Sequence, residues 1–343
     1  MRTVDARAIS TTSDAAAKDG THLLVRHWAA AGHPWASVLL VHGVGEHSGR
    51  YERTAGVFAD AGIDVTAFDL RGHGGSGGRR GDVERWSDYL DDIGLMLERV
   101  RSAGSGRPVV LVGHSMGGLL CTEYVLSDRP MPDLLVLSAP GLDDLLPRWQ
   151  HALAGPAARL VPRLALKHAW GPEALSRDPE VGRLVQNDPG CPPRATVRLG
   201  ALGFAAQKRV RANVRQLRLP TLVLHGGDDR LVPLSASEAF EGLPRVTRRV
   251  YPGLRHESFN EPEGPEVAAD VVEWLRGRIA SESRPIGGKG PRRARKRTVI
   301  ERPFEDRRVW WCILPRSHSS GVALRVVDPP SRTGRASVVR FGK

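Results

Sequence analysis

A succession of short apolar runs constrains the fold of this chain more than any other feature. ASVLLVH (36–42), VVLVG (109–113), LLVLSA (134–139) and TLVLHG (221–226) are nearly continuous in Val, Leu and Ala, and IDVTAFDL (63–70) joins them. Runs of this length and composition are the pattern of strands covered on both faces. HLLVRHW (22–28) and VTRRVYP (246–252) read as further, more mixed strands. Helical periodicity appears between them. Trp86, Tyr89, Leu90, Ile93, Leu97 and Val100 recur at steps of three and four, which predicts an amphipathic helix over 86–101. Residues 51–61 are compatible with a short helix, and another starts near 116. Pro265 and Glu266 open a last one, with Val267, Val271, Trp274 and Ile279 on one face. Strands alternating with helices predict an α/β fold, a doubly wound and mostly parallel sheet with right-handed crossovers.

Two segments break the rhythm. Residues 141–218 lie between two sheet strands and are far longer than a crossover requires. They are rich in Leu, Ala and Arg, hold 12 basic and 6 acidic residues between 141 and 215, and read as an inserted cap of several short helices. After Ser283 the texture changes to GGKGPRRARKR and an isolated VWWCIL. The expected organisation is an N-terminal extension (1–20), a main domain (21–283) carrying the cap, and a basic tail (284–343) expected to be disordered.

The charge needs partitioning before it is interpreted. Of the chain's 50 basic and 38 acidic residues, 16 and 4 lie in 284–343, leaving 34 of each before it. The formal charge of +12 therefore belongs to the tail, and it does not make the main domain a nucleic-acid binder. The tail keeps a second reading, contact with an anionic membrane, and a third, nucleic-acid binding through PRRARKR. At 41% apolar and 26% charged residues, collagen-like, coiled-coil and wholly disordered classes are excluded. No run approaches 18 apolar residues, so no transmembrane helix is expected. The first 20 residues lack the apolar core of a secretory signal, which points to the cytoplasm, with any membrane contact peripheral. Cys121, Cys191 and Cys312 are too few and scattered for a disulfide framework or a zinc site. No metal or organic cofactor is implied, and oligomeric state is not legible.

The chemistry is concentrated in a few loops. Gly113-His114-Ser115-Met116-Gly117-Gly118 places G-x-S-x-G between the strand VVLV and the helix LLCTEYVL, the setting of a nucleophile elbow. A serine nucleophile needs a base, and the base needs an orienting carboxylate. Downstream of the cap, HGGDDRLVP puts Asp228 and Asp229 just after a strand, and YPGLRHESF puts His256 after the next. Both lie at strand C-terminal ends, where open α/β sheets build their sites. An oxyanion hole would take the amide of Met116, after the nucleophile, and one from the turn His42-Gly43-Val44-Gly45. RGHGGSGG (71–78) lacks the G-K-[ST] ending of a phosphate loop. His42, His73 and His114 read as packed loop residues and Cys121 as a small core residue.

Taken together, HGVGEHSGRY, FDLRGHGGSGG, GHSMGG, HGGDDRLVP and YPGLRHESFNE, with SRDPEVGRLVQNDP in the cap, resemble the monoacylglycerol lipase and lysophospholipase-like branch of the α/β-hydrolases. The resemblance spans roughly residues 20–280. It implies Ser115 as nucleophile, His256 as base and Asp229 as orienter, since HGxxDxxVP aligns on His225, Gly226, Asp229, Val232 and Pro233. It implies the amides of Val44 and Met116 as the oxyanion hole and places Glu46 and Arg50 near the alcohol end of the pocket, where a plain salt bridge is the other reading. The implied activity is hydrolysis of a single-chain lipid ester, with lysophospholipids or small esters as rival substrates and a non-catalytic binding scaffold as the rival class.

Overall fold

The computed structural model describes residues 10–168 and 170–282. The N-terminal nine residues and the basic tail of 284–343, with the readings attached to it, lie outside the described residues.

Eight strands form one sheet: β1 (Thr11–Ala16), β2 (His22–Trp28), β3 (Ala36–Val41), β4 (Ile63–Phe68), β5 (Val109–His114), β6 (Leu134–Ser138), β9 (Thr221–Gly226) and β10 (Val246–Tyr251). Their order is β1-β2-β4-β3-β5-β6-β9-β10. The pairs β1/β2 and β2/β4 are antiparallel, and the rest are parallel. The apolar runs behave as their composition requires. Every residue of β3, β5, β6 and β9 is buried, and successive side chains feed opposite faces. Leu39, Val41, Val109 and Leu111 pack under α2 (Trp86–Ala103) and α3 (Met116–Val125). Val38, Leu40, Val110 and Val112 pack under α1 (Glu52–Asp60) and α8 (Gly264–Glu282).

One sequence expectation changes. Residues 11–16, placed in an N-terminal extension, form the edge strand β1, in register with β2 from Thr11 opposite His27 to Ala16 opposite His22. Its sequence TTSDAA is almost wholly exposed, so it carries no apolar alternation from which a strand could be read. Backbone pairing places it, with side-chain contacts from His22 to Asp14 and from Arg99 to Ser13 and Asp14 O.

The segment between β6 and β9 holds α4 (Arg148–Leu160), α5 (Pro179–Asn187) and α6 (Val197–Asn213). It also holds a two-stranded antiparallel ribbon of β7 (Ala165–Lys167) and β8 (Arg194–Thr196), which the expectation of helices alone did not include. Three-residue strands are too short to show a period of two. Asp178 caps α5 by accepting from the Glu180 amide, and Thr196 caps α6 by accepting from Leu199. α4 buries none of its residues. Short α7 (Ser235–Glu238) completes the chain order.

Candidate active site

β5 delivers Ser115 to a turn of unusual tightness. Ser115 has φ +52° and ψ −118°, a conformation that costs a non-glycine residue about 1–3 kcal/mol. Three backbone hydrogen bonds hold it. Its amide donates to Ser138 O, and its carbonyl accepts from Leu119 and Gly141. The flanking glycines are sterically required. A Cβ on Gly113 would come within 2.6 Å of Gly117 O, and one on Gly117 within 2.3 Å of Val41 O. Cys121, fully buried behind the turn, lies 2.7 Å from that hypothetical Gly113 Cβ. Burial pushes its thiol well above the usual range, leaving a small inert packing group.

Asp229 and His256 come from the loops after β9 and β10. His256 Nδ1 lies 2.8 Å from Asp229 Oδ2, which leaves Nε2 as the ring's second nitrogen. Asp228 faces away. Its half-exposed carboxylate pairs with Arg230 at 3.1 Å. Asp229 is fully buried and receives the Leu231 and Val232 amides on Oδ1. Burial alone would raise its pKa, but the charge of His256 and hydrogen bonds from His225, His256 and Val232 hold it well below the carboxylate range. For His256, burial disfavours the imidazolium. Asp229, helped by Glu257 and Glu46, outweighs burial and raises the pKa above 6.5. His114 packs against His256 with ring centroids 4.8 Å apart. Burial first, then the His256 charge, lowers its own pKa to about 4.

Ser115, His256, Val44 and Met116 all line one cavity of about 1120 Å³ between the sheet's C-terminal edge and the cap. Met116 opens α3, and the first amides of a helix have no acceptor within it. Val44 lies in the turn after β3. The far walls are apolar, with Trp86, Trp149, Trp170, Leu153 and Phe204 among them.

Glu46 and Arg50 also line the cavity, but they are committed to protein partners. Arg50 makes a bidentate pair with Glu257 at 2.7 and 2.7 Å and reaches Glu46 at 3.1 Å. Glu46 in turn accepts from Tyr51 OH and from the Gly43 amide, in the turn that carries Val44. The salt bridge weighed against a substrate role is thus present, buried rather than on the surface. Burial pushes the Glu257 carboxyl up, and Arg50 brings it down to about 2.

The cap motif SRDPEVGRLVQNDP fastens to the main domain at two points that sequence reading did not identify. Ser176 Oγ and the Arg177 amide and guanidinium donate to Glu261, which also takes the Arg255 amide beside His256. At the other end Asp188 meets His47 Nε2 at 2.8 Å. His47, Asp188 and Cys191 bring three ligand atoms within 4.8 Å of one another. However, His47 Nδ1 accepts from the Gly49 amide, so the ring proton sits on Nε2, where a metal would have to bind. Burial pushes the Cys191 thiol up to about 12. The cluster is a latch between the cap and the loop after β3. His225, Glu257 and Glu261 were present in the quoted motifs, but no local signal distinguished them.

A mostly parallel sheet with a serine on a strained strand-to-helix turn, and an acid and a histidine on later strand ends, defines the α/β-hydrolases that use a serine nucleophile. A family model described as serine aminopeptidase, S33, matches residues 32–263, and the chain belongs to that family. It is a serine hydrolase. A monoacylglycerol lipase of Mycolicibacterium smegmatis is 34% identical over 75% of this chain and 93% of its own. The human monoglyceride lipase is 30% identical over 80% of this chain and 91% of its own. The crystal structure of a Paleococcus ferrophilus monoacylglycerol lipase aligns with a TM-score of 0.67 and 32% identity, covering 74% of this chain and 98% of that one.

Proposed function

We propose that this chain hydrolyses monoacylglycerols to a fatty acid and glycerol through an acyl-enzyme on Ser115. Ser115 Oγ attacks the ester carbonyl while His256 Nε2 takes its proton. Asp229 holds the imidazole with its proton on Nδ1 and stabilises the imidazolium. The amides of Val44 and Met116 receive the oxyanion, each worth about 3 kcal/mol in the transition state. His256 then protonates the leaving alcohol and afterwards activates the water that releases the acid.

The observation that carries this reading is the cavity. At about 1120 Å³ it exceeds the ~300–1,000 Å³ usual for small-molecule sites. Besides its reactive groups it is lined by many apolar side chains, Trp86, Leu119, Trp149, Leu153 and Phe204 among them, which suits one acyl chain better than a small ester. The side chains around it favour an uncharged headgroup. Two of the lining cations are already engaged, Arg50 by Glu46 and Glu257 and Arg230 by Asp228, which is unfavourable to the phosphate of a lysophospholipid. The expected result is rapid glycerol release from a long-chain monoacylglycerol, with a lysophospholipid and a short-chain ester of the same concentration turned over much more slowly. A higher kcat/KM for either alternative would transfer the assignment to it.

The same reading includes a peripheral contact between cap and membrane. No helix among the described residues is long and apolar enough to cross a bilayer. The cap nevertheless exposes Leu160, 82% exposed and outside the cavity lining, next to Leu145, Trp149, Leu153 and Leu164, which are exposed although they also line the cavity. Arg148, Arg159, Arg163 and Lys167 lie exposed among them, a mixture suited to an anionic interface. Replacing Leu160 with serine is expected to weaken binding to phosphatidylglycerol vesicles about tenfold, since one inserted leucine contributes ~1.5 kcal/mol or more. Unchanged binding would remove the cap from any membrane contact.

A further inference from the structure

We propose that His225 is a positioning residue of the site, a second histidine that sets the charge Asp229 presents to His256. The inference rests on the proposed triad and goes beyond it. His225, at the end of β9, is wholly buried, and its Nε2 lies 3.1 Å from Asp229 Oδ2, the same oxygen that His256 Nδ1 approaches at 2.8 Å. It also lies 3.0 Å from Val232 O. Facing two acceptors, Nε2 carries the ring proton. The other nitrogen, Nδ1, is buried without a hydrogen-bond partner. An orphaned buried nitrogen costs stability, and an aliphatic side chain at this place would avoid that cost. What the imidazole provides in return is the Nε2–H on Asp229.

The chemical consequence follows from the shared oxygen. Oδ1 is held by two backbone amides, so the carboxylate is anchored at one oxygen and faces both histidines with the other. The N–H of His225 draws charge from Oδ2 and so limits how strongly Asp229 stabilises the His256 imidazolium. Without it, Asp229 becomes the stronger partner, the His256 imidazolium holds its proton to higher pH, and the base is available over a narrower range. The other groups facing His256 are His114 from β5, Glu257 from its own loop and Glu46 from the turn after β3, the two glutamates being paired with Arg50. None of these touches Oδ2 among the described residues.

The test is the pH dependence of kcat/KM on an uncharged ester. Activity needs neutral His256, whose pKa is raised, so the wild-type acid limb is expected above pH 6.5. In His225→Leu the limb should move further up, by about half a unit or more. The plateau kcat should stay close to that of the wild type, with thermal stability equal to or above it. His225→Gln, whose amide can donate to Oδ2, should bring the limb back toward the wild-type position. If His225→Leu does not fold, His225→Met carries the same test. A fall in stability with the acid limb unmoved would show that His225 only fills space, and the proposal would be wrong. A wild type whose activity does not depend on Ser115 would instead overturn the triad itself, so the two failures are distinguishable.

Discussion

Ser115→Ala is expected to reduce kcat by about a millionfold while leaving the fold intact, the scale of loss when a serine nucleophile is removed from a working triad. The fold should survive because the elbow is held by its backbone. The Ser115 amide and carbonyl make three hydrogen bonds that alanine keeps, and the tight contacts of Gly113 and Gly117 are untouched. Only Oγ is lost. Residual turnover above that of water should persist, because the proposed oxyanion amides of Val44 and Met116 and the apolar cavity lining are left in place. A fluorophosphonate should label the wild type stoichiometrically and the variant not at all. Turnover within about tenfold of wild type would place the nucleophile elsewhere.

Asp229→Asn is expected to lower kcat by about 10⁴, through the tautomer rather than the shape of the site. Asparagine keeps an oxygen for the Leu231 and Val232 amides. Its NH2 group then faces His256 Nδ1, where Asp229 Oδ2 stood at 2.8 Å. Two donors cannot share that contact, so the imidazole proton moves to Nε2 and the base can no longer accept from Ser115. Asp228→Asn is the control. That side chain is half exposed and pairs with Arg230, an interaction worth at most about 1 kcal/mol, and its turnover should stay near wild type. A reversal, with Asp228→Asn the crippling change, would mean that the loop after β9 is misplaced by one residue.

How much of this was legible beforehand depends on range. The buried strands announce themselves because a strand covered on both faces must be apolar at every position, as β3, β5, β6 and β9 are. β1 does not, because an exposed edge strand needs no apolar residue. The elbow was readable because its glycines, serine and flanking strand are adjacent. The contacts that brace the site were not. Arg50 meets Glu257 across 207 residues and His47 meets Asp188 across 141, and no local pattern selects such pairs.

The amino-acid sequence by itself determined every strand of the sheet except β1, the place of the long insertion between β6 and β9, and which loops carry Ser115, Asp229 and His256. These follow from apolar periodicity and from motifs a few residues long. The motif HGxxDxxVP had already singled out Asp229 over Asp228; tertiary structure alone decided that His225 shares its oxygen and that Glu46 and Arg50 are held in a buried ionic network. The reason is physical. A strand or a tight turn is specified by neighbours within reach of one another along the chain. A hydrogen bond between two loops depends on where the whole sheet delivers their ends, to within a few tenths of an ångström.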